Sequence, residues 1–154
     1  MTVNAQHFRE ILDEMEIAHR AVPPNGFEFI IEQTGPFQGK VKFTFFVREE
    51  QALIQAYAVL CNKDLDASKL DEAYRFCNTW HNDTIMPKVI VDEKNRFLLC
   101  EWIWDSDYEI SNDLLTRLIL APFIQNTQTC INKAVEAGLY PGVNRQVASA
   151  AEKD

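Results

Sequence analysis

Few residues in this sequence are of the right type and spacing to do chemistry. Cys77 and His81 stand four apart, which on a helix puts both on one face within reach of a single metal ion. Two ligands do not make a site, and His7 and His19 fall in a different predicted element. A buried thiol beside a hydrogen-bonded imidazole is the plainer reading. The segment from Glu101 to Asp113 holds five carboxylates and no basic residue, interleaved with Trp102, Trp104 and Tyr108. Asp105, Asp107, Glu109, Ser111 and Asp113 even follow the alternation of a calcium loop. Ile110 and Thr116, however, replace the glycine and the bidentate glutamate that such a loop needs. A strand end and a solvated turn before a helix N-terminus, where acids suit the dipole, account for the run more simply. Trp102 and Trp104 share one side of a predicted strand. Core packing explains the pair first; the alternative is a partner surface formed by Trp102, Trp104, Asp105, Asp107, Tyr108 and Glu109.

Nucleophilic catalysis finds no support, since no Ser or Cys sits in a glycine-flanked elbow and only three histidines could serve as bases. The five glycines fall in turns and caps, leaving none to cradle a phosphate. No pair of carboxylates stands out by a split environment. The expectation is a non-enzymatic protein with no cofactor and no metal.

The bulk properties agree. The 154 residues suit one domain, at roughly 150 residues per domain. Hydrophobic residues make up 47% and charged residues 25%, a globular balance. The net charge of −8 argues against nucleic acid and anionic membranes, which both require clustered cations. The N-terminus has no signal-like pattern, and the longest apolar stretch, Leu118 to Ile124, is far below the roughly 20 residues of a membrane span. The four cysteines form no C-x-x-C pair, as in a cytoplasmic chain. A cytoplasmic location is expected.

Hydrophobic periodicity supplies the elements that must position these residues. Phe8, Ile11, Leu12, Met15 and Ala18 predict a helix over 7–20, which Pro23-Pro24-Asn25-Gly26 stops. Period-two runs at 27–32 and 41–48 predict half-buried antiparallel strands. The run 52–61 has so few polar residues that it reads as central and buried on both faces. Residues 68–83 return to helical period, with Ser68 and Asp71 as a capping box. Val89 to Val91 and Phe97 to Trp104 predict a hairpin across Asp92-Glu93-Lys94-Asn95.

A last helix runs from about Asn112 to Ala137, capped by Ser111 and kinked or broken at Pro122. Its apolar residues cover more than one stripe, so one side can face the sheet and another a second copy. Leu118, Leu120, Phe123 and Ile124 are the candidate dimer residues, and a homodimer is the expected state. The domain spans 1–140, and the tail 141–154 is expected to fray. The order is α-β-β-β-α-β-β-α, an α+β fold with an antiparallel sheet and packed helices.

The segments Cys77-Asn78-Thr79-Trp80-His81-Asn82, Met86-Pro87-Lys88-Val89-Ile90-Val91-Asp92 and Phe97-Leu98-Leu99-Cys100-Glu101 together resemble the core signature of the YbjN family, labelled bacterial sensory transduction regulators. Asn78, Trp80, Met86 and Pro87 match at the family's spacing, with His81 where asparagine is common. The resemblance covers about residues 7–137 and is firmest over 74–104. It implies the fold of class I type III secretion chaperones, small, acidic and often dimeric. It also implies a non-enzymatic interaction or regulatory role, with Asn78, Trp80 and Pro87 structural. Asn78 is then expected to satisfy backbone groups near the Pro87 turn. The alternatives are a secretion chaperone that holds an extended effector segment by strand addition and, third, a metal-dependent enzyme.

Overall fold

The computed structural model describes residues 3–33, 35, 37–106 and 109–143. Helix α1 (Ala5–Glu14) opens on a reciprocal cap: the Asn4 side chain accepts the His7 N–H, and the His7 ring accepts the Asn4 N–H. Phe8, Ile11 and Leu12 are its buried face. The predicted helix over 7–20 therefore ends six residues early. Glu16 turns left-handed at φ 57°, and the Ile17 N–H returns to the Leu12 carbonyl. Met15 keeps the apolar spacing but is exposed, and His19–Val22 becomes strand β1. Periodicity alone continued the helix through a turn that the backbone closes without glycine.

Five more strands follow: β2 (Gly26–Glu32), β3 (Lys40–Arg48), β4 (Leu53–Leu60), β5 (Lys88–Asp92) and β6 (Phe97–Asp105). All pair antiparallel, in the order β1-β2-β3-β4-β6-β5. The β5–β6 hairpin enters with β6 innermost, so β4 is central as expected. Its residues alternate between buried and half-buried, however, which corrects the reading of burial on both faces.

The chain between β4 and β5 forms α2 (Leu70–Asp83), preceded by a 3-10 turn over Ala67–Lys69. Asp66, not Ser68, is the cap: its carboxylate accepts the Ser68 N–H at 2.9 Å and the Ser68 hydroxyl at 2.7 Å. These bonds hold the Asp66 carboxyl below its ordinary range.

The final rod comprises α3 (Asn112–Leu115), a π-helical turn (Thr116–Leu120) and α4 (Ala121–Glu136). Ser111 Oγ accepts the Leu114 N–H at 3.2 Å, the cap expected for it. The predicted disruption at Pro122 takes the form of that widened turn. A proline offers no N–H to the carbonyl four residues back and its ring crowds that carbonyl. The π turn resets the ladder just before Pro122, which then sits in the first turn of α4 where a missing donor costs nothing.

The helices pack on one face of the sheet. Alternate strand residues, among them Phe27, Phe29, Phe43, Phe45, Ile54 and Leu98, form one core with Phe8, Leu12, Leu120 and Phe123. Phe45 stacks on Phe27 at a centroid distance of 5.3 Å and meets Phe8, Phe123 and Trp104 at 5.6, 5.7 and 6.5 Å. Beyond α4, Gly138 takes φ 78° and the chain returns so that Tyr140 is buried, its hydroxyl accepting the Leu98 N–H at 2.8 Å. From residue 144 onward, the tail expected to fray lies outside the described residues. No helix among the described residues is long and apolar enough to cross a membrane.

Candidate functional site

The signature segments meet where α2 docks on the sheet edge. Trp80 is buried, and its Nε1–H donates to the Pro87 carbonyl at 2.8 Å. His81, one residue on, accepts the Val89 N–H at Nε2 over 2.9 Å. That N–H points away from β6, so the imidazole occupies part of the free edge of β5, which would otherwise be open to another strand. Accepting at Nε2 requires the neutral ring with its proton on Nδ1. Thr84 closes the helix by donating its hydroxyl to the Trp80 carbonyl at 2.6 Å, and the Lys133 ammonium from α4 sits 5.6 Å over the Trp80 ring. The expectation for Asn78 needs correcting: it is exposed, and the hydrogen bond to the Pro87 turn comes from Trp80. Two residues before Trp80 on the helix, Asn78 points about 200° away from it, to the solvent side.

Cys77 and His81 are brought to different tasks. Cys77 faces inward towards Cys100 and Cys130, all three buried, while His81 faces the strand edge. Burial pushes the Cys77 thiol up to about 11. Cys130 is pushed up further, first by its hydrogen bond with Cys100 and then by burial. Such thiols are poor nucleophiles because the thiolate is the reactive form. Among the described residues, no group of three or more His, Cys, Asp or Glu side chains is arranged to hold a metal ion.

The acidic aromatic run divides in two. Trp102 and Trp104 lie half-buried against the core, Trp104 edge-on to Phe123 at 5.8 Å. Asp105 and Glu109 are exposed, while Asp107 and Tyr108 lie outside the described residues. The linker is anchored by the Ser106 N–H, which bonds the Ala52 carbonyl at 2.9 Å. The proposed dimer helix divides likewise, and half of it is corrected. Leu120 and Phe123 are sealed in this chain's own core, and Ile124 is half-buried. Leu118 is 57% exposed, with Leu114 exposed one turn before it. Leu118 and Leu120 stand two residues apart on nearly opposite sides of the helix, so the side that carries Leu120 and Phe123 meets the sheet and the side that carries Leu118 meets solvent.

Sequence reasoning missed the other face of the sheet. Ile30, Phe46, Tyr57, Val59, Leu99 and Ile103 project from it, and no described helix covers them. The signal was present in Phe45-Phe46 and in the unbroken apolar run 97–100, since a strand apolar at both parities is apolar on both faces.

These features define an α+β fold with helices on one face of a six-stranded antiparallel sheet. Among solved structures it is similar to that of YbjN from E. coli, a candidate transcription regulator. The TM-score is 0.68 at 12% sequence identity, over 91% of this chain and 98% of that one. At that identity the likeness establishes a YbjN-like fold and nothing finer. No protein-family model and no curated protein sequence matches the chain.

Proposed function

We propose that this protein is a non-enzymatic regulatory module that acts by binding another protein in the cytoplasm. The observation that carries the reading is the YbjN-like fold over 91% of the chain, shared with a candidate transcription regulator. The net charge of −8 directs that role towards a protein rather than towards DNA, whose phosphates would repel it. The partner surface is the exposed side of α3 and the π turn, where Leu114 and Leu118 follow the acidic residues Asp105 and Glu109 in the chain. Apolar anchors flanked by carboxylates suit a segment that carries both apolar and basic side chains.

The test compares wild type with the Leu114→Lys/Leu118→Lys variant in quantitative affinity capture from the native cytoplasm, alongside duplex DNA titrations at low salt. A defined protein retained by wild type and lost by the variant, with no DNA binding, supports the reading. Salt-sensitive DNA binding by the purified chain overturns it.

A further inference from the structure

We infer that the face of the sheet left open by the described helices is the docking surface for a second copy of this chain, sheet against sheet. This goes beyond the regulatory reading and does not depend on it, since it rests on the residues of the sheet face alone.

The anatomy of the face is that of an interface. Its centre is uncharged: Phe46 packs edge-on against Tyr57 at 6.2 Å, Thr44 stands opposite Tyr57, and Gln55 stands opposite both Phe46 and Ile103, while Lys42 lies further along β3 between Ile30 and Val59. Its two lateral edges carry ion pairs that are already closed within the sheet, Arg20 with Glu28 on one side and Lys88 with Glu101 on the other, the latter at 3.4 Å. Arg48 lies 5.0 Å over the Phe46 ring and donates to Gln55 at 2.7 Å, so this cation is also engaged within the face. An apolar centre inside a polar rim is the arrangement of a specific protein contact.

Charge selects the occupant. The outward strand positions carry the cations Arg20, Lys40, Lys42, Arg48 and Lys88. They also carry the anions Glu28, Glu32, Asp92, Glu101 and Asp105, in equal number. The face is therefore neutral on a chain of net charge −8. Two such chains repel through most of their surface, and here they can meet without net repulsion. A strongly charged partner, in contrast, finds no unbalanced charge to recognise.

Area agrees. Six strands spaced about 4.8 Å apart, with seven or more residues in most at about 3.3 Å each, present a face roughly 25 Å square, or on the order of 600 Å² before side-chain corrugation. A standard stable interface buries about 800 Å² per partner, and a face of this size supplies the larger part of that. A two-fold axis in the interface plane lays the uncharged centre on itself, and twist splays the charged corners into solvent.

The experiment is sedimentation equilibrium of the full chain from low to high micromolar concentration, on wild type, Ile30→Lys/Ile103→Lys and Leu118→Lys. Ile30 and Ile103 are 53% and 49% exposed, so lysines there leave the fold intact, as far-UV circular dichroism will check. The expected result is a wild-type dimer, a double variant weakened by at least about 100-fold, and a Leu118→Lys chain that still dimerises. Hydroxyl-radical footprinting of wild type should show Phe46 and Tyr57 becoming protected as concentration rises. A wild-type monomer throughout overturns the inference. So does a dimer that survives the double variant or dissociates with Leu118→Lys, or one that leaves Phe46 and Tyr57 unprotected.

Discussion

Phe45 and Phe46 are adjacent in β3 and live in different environments. Phe45 is fully buried among rings from α1, β2, β6 and α4. Phe46 is half-exposed, its ring lying across Gly26 with Tyr57 edge-on to it and Arg48 above. The inner face earns its stability from close packing of many apolar neighbours. The outer face is held by in-plane pairs, each a partly solvated contact. A single sheet thus carries a structural side and a side whose apolar surface no described helix covers.

That contrast can be broken at several points, and the largest effect lies inside. Phe45→Ala removes a ring from the centre of the core and should cost about 3–5 kcal/mol in urea unfolding. A cost below about 1 kcal/mol would mean that the two faces differ less than the packing indicates. Next is Trp80→Phe, which keeps most of the buried volume but removes the indole N–H. It leaves the Pro87 carbonyl without its donor, for an expected loss of about 1–3 kcal/mol by the same measurement. Phe46→Ala should cost about 1 kcal/mol when the protein is dilute, because it forfeits one ring pair and one cation–π contact. If the outer face is covered by a second copy, that cost must grow with protein concentration, which urea titrations at two concentrations will show.

The smallest effect at neutral pH is a dependence that emerges only in alkaline solution. Burial raises the Cys77 thiol from near 9 to about 11, so the folded state keeps a proton that the unfolded chain releases. The resulting stabilisation is complete below pH 9 and declines as pH rises towards 11. Unfolding titrations across that window should show a shallower decline for Cys77→Ala than for wild type.

Much of this was legible in the sequence. The strands at 27–32 and 41–48 alternate strictly, and side chains on a pleated strand must alternate, so their inner faces could be read directly. The 89–104 hairpin, the Ser111 cap and the YbjN resemblance rest on local residue chemistry and spacing. β1 was not legible, because a four-residue strand is defined by its partner β2 rather than by its own pattern. Asn78 was assigned a bond that Trp80 makes, since a motif does not say which side of its helix the sheet will cover, and Asn78 is on the exposed side. Leu120 and Phe123 were assigned to a second copy because a helix apolar on several sides does not say whose surface each side meets.

By itself, the sequence determined the α+β class, most elements and the acidic character, because these follow from periodicity and composition. Only the tertiary structure decided that the described helices gather on one face. It alone also decided that His81 accepts the edge N–H of β5, and that the apolar residues left over form a single neutral surface. Those outcomes depend on which strands pair, and pairing joins residues that are far apart in the chain.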